Sequence, residues 1–271
     1  MSEQTYGSAV QPAFPQIREV GLAAPLHWLA AGWRDMRLAG TASIFYGACF
    51  AGAGWLLHWV FAEAYALFAG LVTGFLLLAP FLAMGLYDLS RRIERGQVPR
   101  LAHSLAAWRP NLANVSLLAG VLAVVLLLWA RASMVIFALF FDAPGLPTFA
   151  GIVRSVLTLE QPGFAAIYFG VGGLFALFVF AISVVAVPLM LDRNMDAVTA
   201  AIASIGACAR NPRTMLLWAL CIVLLAGVGI ATAFAGLVVA MPVLGHATWH
   251  AYRDLVAEEP AGPSRSAAPA R

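Results

Sequence analysis

The sequence predicts an all-α fold: a polytopic transmembrane helix bundle of six spans, built as three repeats of an amphipathic helix followed by a helical hairpin. Three observations carry this reading. First, the 271-residue chain is 62% hydrophobic and only 11% charged, with a mean hydropathy of +0.86. Soluble domains carry about 25% charged residues, and a soluble core could not bury so much apolar side chain; a bilayer can. Second, the apolar residues gather into runs long enough to cross a membrane. Third, short pieces of sequence at the borders of those runs recur.

Residues 1–16 form a polar, Pro-containing lead that reads as disordered. Residues 17–256 form one transmembrane domain. Leu26 to Leu38 reads as an interfacial helix with Leu26, Leu29, Trp33 and Met36 on its apolar face. The first span, 41–61, is rich in small residues and closes on Trp55 and Trp59, an aromatic belt. Glu63 and Tyr65 make a short turn. The second span, 67–86, carries a Gly70/Gly74 packing pair, and Pro80 lies near its exit.

Pro80 to Pro110 then holds Arg91, Arg92, Arg95, Arg100 and Arg109, the densest basic stretch of the chain. The positive-inside rule places it and the N-terminus in the cytoplasm, and prefers the C-terminus there as well. The third span, 112–131, has an open outer end: Arg131 sits at the interface, or the helix runs on, tilted, to Phe141. In the loop Asp142 to Gly163, Phe149, Ile152, Val153, Val156 and Leu157 suggest a short helix on the outer surface. The fourth span, 164–191, has Pro188 near its inner end. Asp192 to Pro212 returns as a second amphipathic segment, with Met195, Val198, Ile202 and Ile205 on one face.

Arg213 to His246 is too long for one span, since at about 1.5 Å per residue it would rise roughly 50 Å against a core of about 30 Å. A hairpin broken near Gly227-Val228-Gly229, with spans 213–226 and 229–246, resolves this; one tilted helix, giving five spans, is the alternative. Residues 257–271 read as a disordered tail. With no cleavable leader pattern, the first span reads as retained.

The recurring pieces favour the hairpin. His27 to Arg34 resembles His103 to Arg109 and, more distantly, Ala203 to Pro212, each just before an apolar run. Pro80 to Arg91 aligns without gaps on Pro242 to Arg253, pairing Tyr87 with Trp249 and Arg91 with Arg253. Pro188, Asp192 and Arg193 are a truncated equivalent.

The pieces A-A-G-W-R-D-M-R, S-I-F-Y-G, P-F-L-A-M-G-L-Y-D-L-S-R-R-I-E-R-G and G-H-A-T-W-H-A-Y-R-D-L together resemble a family of bacterial inner-membrane proteins, domain of unknown function 2189. The resemblance spans roughly Ile17 to Val256. It implies membrane class and bacterial origin, and it assigns no catalytic residue.

The net charge of +3 comes from dispersed arginines, all 16 basic residues being arginine, so nucleic acid is not an expected partner. The lipid bilayer is, and a membrane-protein partner or a second copy fits the small-residue faces. Cys49, Cys208 and Cys221 show neither disulfide nor metal spacing. P-loop, GxSxG, HExxH and dinucleotide fingerprints are missing, and no cofactor is expected. His246 and His250, one turn apart, are weak candidates for a metal or haem edge, set against an interfacial packing role. His58 reads as meeting headgroup water. Tyr87, Asp88, Arg91, Arg92, Trp249 and Arg253 are the candidate surface for lipid or a partner. The expected role is non-enzymatic, in assembly, scaffolding or envelope homeostasis. A permease for a neutral or amphiphilic molecule, with late prolines breaking its helices, and a haem or metal protein are the alternatives.

Overall fold

The computed structural model describes residues 14–63, 65–140 and 161–258. Its regular elements are helical: α1 (Ala24–Ala39), α2 (Thr41–Glu63), α3 (Tyr65–Glu94), α4 (Leu101–Ser104), a 3-10 turn (Arg109–Asn111), α5 (Leu112–Phe140), α6 (Pro162–Ser183), α7 (Ala186–Arg193), α8 (Ala197–Arg210), α9 (Pro212–Ala231) and α10 (Leu237–Leu255). Among the described residues, three stretches are long and apolar enough to cross a membrane: Leu101–Phe140, Pro162–Arg193 and Pro212–Ala231. A fourth is counted if α1 and α2, bent by 108°, form one broken span.

The bend follows from Gly40. Its φ of 55° is open to glycine without a Cβ penalty, and its N–H still closes the last turn of α1 on the Met36 carbonyl at 2.9 Å. A second break divides the run 164–191 into α6 and α7 at Val184 and Val185. Pro188 explains it, because its ring clashes with the carbonyl four residues back, that of Val184. The freed Val185 N–H donates to Ser204 Oγ at 3.1 Å. Pro80 and Pro242 instead lie inside helices that continue past them.

Residues 213–246 do not form one helix. The helix α9 passes straight through Gly227 and Gly229, and the chain turns at residues 232–236 instead. Ala233 and Phe234 take positive φ there, and Thr232 Oγ1 accepts from the Gly236 N–H at 2.9 Å. A break at Gly227-Val228-Gly229 is therefore displaced by about one turn of helix. Gly229 serves close approach, since a Cβ on it would lie 2.5 Å from Leu237 Cδ2. The third span also runs further than 112–131, as α5 continues to Phe140. The amphipathic segment before it is only the short α4 and a 3-10 turn.

At the centre of the bundle is α10. It packs against α1, α2, α3 and α9. Glycines permit the backbone contacts: a Cβ on Gly32 would lie 2.6 Å from the Val243 carbonyl, and one on Gly47 2.0 Å from the Val238 carbonyl. Of the amphipathic helices, α8 places small residues inward, while α1 buries large ones as well. In α8, Ala197, Ala200, Ala203, Ser204 and Ala207 are buried, while Val198, Ile202 and Ile205 face out. In α1, Trp28, Gly32, Asp35, Met36 and Ala39 are buried, while Leu26 and Trp33 face out. Met195 and Met36 thus part company with the apolar faces assigned to them.

Expectations for the lead up to residue 13, the outer-loop helix around Phe149 to Leu157 and the tail beyond residue 258 fall outside the described residues. So does the Gly70/Gly74 face, whose side chains are not described.

Candidate functional site

Beneath the bend between α1 and α2, four helices bring five polar side chains into one chain of hydrogen bonds. His250 Nε2 lies 2.8 Å from Asp35 Oδ2, and Ser90 Oγ donates to the same oxygen at 2.8 Å. Ser90 Oγ also lies 2.8 Å from His246 Nδ1, and His246 Nε2 lies 2.8 Å from Ser43 Oγ. Arg34 reaches Asp35 Oδ1 at 3.4 Å. Asp35, Ser43, Ser90 and His246 are buried, and only His250 meets the surface.

The network fixes the proton positions. An ionised Asp35 can only accept, so the single Ser90 proton points to it. Ser90 Oγ must then accept from His246 Nδ1–H, which leaves Nε2 as the acceptor for the Ser43 hydroxyl. Every member is satisfied with a neutral imidazole. Burial by itself would raise the Asp35 pKa; the hydrogen bonds from His250 and Ser90, with the nearby imidazoles, outweigh it and hold the carboxyl below its ordinary value.

A serine, a histidine and an acid are the residue types of a nucleophile with its base, but Ser90 stands between His246 and Asp35, and the geometry seals the site. Ser43 is fully buried, and one turn further along α2 the crossing at Gly47 leaves no room for a methyl group against α10. The arrangement is a clasp joining α1, α2, α3 and α10. The two histidines are spent on it, and among the described residues no group of three His, Cys, Asp or Glu side chains is placed to hold a metal ion.

A second cluster joins the ends of α3, α7 and α10. Asp88 is buried and accepts from both Arg91 and Arg92, the latter at 2.7 Å. Arg91 also caps α7 by donating to the Leu191 carbonyl at 2.9 Å. Asp192 meets Arg95 at 3.2 Å and accepts from the Tyr252 hydroxyl at 2.8 Å. Glu94 accepts from Trp249 Nε1 at 3.0 Å and from Arg253 at 2.9 Å. The two sequence-matched ends, around Arg91 and Arg253, do meet here through Glu94. Tyr87, Asp88 and Trp249 are buried, so the surface available on this cluster belongs to the arginines and Glu94.

Three clamps tie the connecting segments to the starts of long helices. The Tyr46 hydroxyl on α2 bonds Ser104 Oγ at 2.9 Å. Asn111, entering α5, donates to the Met190 and Met195 carbonyls, the latter at 2.8 Å. Asn211, entering α9, accepts from the Val20 N–H at 2.8 Å and donates to the Arg18 carbonyl at 3.0 Å. The N-terminal segment thus held pairs with the C-terminal one: Arg18 N–H donates to the Leu255 carbonyl at 2.8 Å, and Ala257 N–H to the Gln16 carbonyl at 2.9 Å.

Sequence reasoning named His246 and His250 but missed Asp35, Ser43 and Ser90, which look like ordinary polar residues at helix borders. His58 is exposed beside Phe234, and Arg131 is exposed on α5. All three cysteines are free.

No curated protein and no solved structure matches the chain. A family match covers α3 to the end of α7, and the family is the one that the sequence pieces resemble. Residues 67–192 match the model of the family described as "Predicted integral membrane protein (DUF2189)", an integral membrane protein family of unknown function.

Proposed function

We propose that the chain is a non-enzymatic scaffold of the bacterial inner membrane, a closed ring of three helical hairpins with its connecting segments and both termini on the cytoplasmic side. The observation that carries this is the cyclic order of the contacts. The helix preceding each hairpin packs on the last helix of the hairpin before it: α4 on α3, α8 on α6 and α7, and α1 on α10. Each clamp likewise holds the segment leading to the next hairpin. The pairing of Arg18 with Leu255 supplies the third junction, which no peptide bond makes. Six spans follow from this ring, with α2, α3, α5, α6, α9 and α10 crossing.

A ring whose clasp and clamps occupy one another's polar groups, with the Trp218 indole N–H the buried side-chain donor left without a partner among the described residues, is suited to holding a shape, and the outward apolar faces of α5 and α9 supply surface for a membrane partner. A shallow groove on α5, lined by Ser116, Leu117, Gly120, Val121 and Val124, fits a neighbouring helix. Photocrosslinkers placed at Leu117 and Val124 in the native membrane should capture one defined partner or a second copy. Capture of lipid alone at both positions, together with a monomer in mild detergent, would sink the reading. Transport of a neutral or amphiphilic molecule stays as a second reading on one observation: Pro80 and Pro242 lie inside the neighbouring helices α3 and α10, where a proline leaves the carbonyl four residues back without its helical donor. Substrate-dependent flux in proteoliposomes separates the two.

A further inference from the structure

Two amphipathic helices present matching outward faces that nothing among the described residues covers. On α1 the exposed positions run Leu26, Ala30, Trp33, Arg37; on α8 they run Val198, Ile202, Ile205, Ala209. Both series follow the spacing i, i+4, i+7, i+11, one helical stripe. The inward stripes match as well: Trp28, Gly32, Asp35 and Ala39 on one, Ala200, Ser204, Ala207 and Asn211 on the other. Leu26 is 65% exposed and Val198 62%, which in water would leave branched apolar side chains unprotected on both helices.

Charge stands beside each stripe. Each helix ends directly on a long apolar helix, and an arginine sits at each corner: Arg37 in the last turn of α1 and Arg213 in the first turn of α9. No ion pair or hydrogen bond occupies either side chain among the described residues, whereas Arg34 has Asp35 and Arg210 has Glu19. The acidic group nearest α8 on its own element, Asp196, caps the far end by accepting from the Thr199 N–H at 2.9 Å. Apolar side chains at the level where a span begins, next to a cation with no internal partner, match a leaflet whose acyl chains lie below a layer of phosphates.

We propose that α1 and α8 are anchors for anionic phospholipid, their Leu26–Trp33 and Val198–Ile205 faces inserted below the headgroups and Arg37 and Arg213 holding lipid phosphate. This does not depend on how many helices cross the membrane. The partner is the lipid headgroup layer, because the apolar stripe and the cation act together only where acyl chain and phosphate are joined.

Two measurements on the full-length chain test it. Spin labels at Ile202→Cys and Trp33→Cys, in a background with Cys49, Cys208 and Cys221 replaced by serine, report depth in vesicles of phosphatidylcholine with phosphatidylglycerol. Collisions with oxygen should exceed those with a water-soluble nickel chelate. Labels freely reached by the chelate would overturn insertion, and labels shielded from both reagents would mean that protein, a second copy or a partner, covers the face.

Native mass spectrometry, on protein with its own cysteines, reads the charge. Retained phosphatidylglycerol should exceed phosphatidylcholine. Arg37→Gln and Arg213→Gln should each reduce that preference about fivefold, in line with the contribution of one basic residue at an anionic surface. Arg37→Lys and Arg213→Lys should restore most of it. Equal lipid preference in the wild type and the glutamine variants would refute the role of the arginines, and loss that lysine fails to rescue would assign it to folding instead.

Discussion

Replacing Asp35 tests the clasp most directly. Asp35→Ala removes the acceptor for two hydrogen bonds of 2.8 Å, from Ser90 and His250. Hydrogen bonds to a charged group contribute about 1.5–3 kcal/mol each. The two losses are unequal. His250 is partly exposed and can turn to water, whereas Ser90 is fully buried and can redirect its hydroxyl only to His246 Nδ1, which requires that ring to move its proton to Nε2 and displaces the Ser43 hydrogen bond. The expected cost is therefore about 2–4 kcal/mol, mostly through Ser90. Asp35→Asn keeps the shape and one oxygen, and should cost about half as much. Ser90→Ala breaks the same chain, so the double variant with Asp35→Ala should cost less than the sum by 1 kcal/mol or more, an approximate figure for residues in one network. Unfolding of the detergent-solubilised protein by dodecyl sulphate, followed by tryptophan fluorescence, gives these differences. The sign with pH follows from the lowered Asp35 pKa. The stabilisation is complete above the unfolded carboxyl value of about 4 and disappears as pH falls through the folded value. An Asp35→Ala variant within about 0.5 kcal/mol of wild type, or strict additivity with Ser90→Ala, would refute the clasp.

Other parts of the fold are open to equally specific tests. Gly47→Leu drives a side chain into the Val238 carbonyl, 2.0 Å from the new Cβ, and should abolish accumulation of folded protein. Gly227→Ala meets nothing within 4 Å inside a helix and should be neutral or stabilising by up to about 1 kcal/mol. Asn211→Ala removes the bonds to Arg18 and Val20, so limited proteolysis should cut the N-terminal segment faster than in wild type. If residues 232–236 are the turn, a thiol reagent confined to the outer side should label Ala233→Cys and spare Gly227→Cys; the opposite pattern would place the turn at the glycine pair after all.

The membrane class and most helix positions were legible because they depend on apolar run length, which the bilayer sets. The hairpin in residues 213–246 was legible for the same reason, yet its turn was misplaced. Glycine marks both turns and close helix crossings, and the Gly229 backbone serves a crossing while Ala233 and Phe234 take the positive φ. The amphipathic faces were half legible. Periodicity finds a stripe of large apolar residues, but in α8 the outward stripe is large and the buried one small, while α1 buries Trp28 and Met36 beside Gly32 and Ala39, so residue size does not mark the inward face. Met195 and Met36 were therefore assigned to the wrong company. The clasp was not legible as a site, because its members are single polar residues far apart in the chain. A signal for it was present: Asp35, Ser43, Ser90, His246 and His250 all fall within the four pieces that carry the family resemblance.

That coincidence bears on what the ring is for. The clasp, the arginine cluster and two of the three clamps all involve the last hairpin or the segment before it, and α10 touches α1, α2, α3 and α9. In the proposed ring, closure depends on that last helix, since it carries both histidines, Arg253 and the Leu255 carbonyl that pairs with the N-terminal segment. A ring closed by noncovalent contacts can be cut elsewhere. Joining Val256 to Gln16 with a short linker and opening the chain at the exposed Gln97–Val98 segment preserves every bond of the clasp, the cluster and the clamps. Such a permutant should insert and fold with a stability close to that of the parent, measured by the same dodecyl sulphate titration. A permutant that fails while the separately expressed halves reassemble would show that order of insertion, not the ring of contacts, determines the fold.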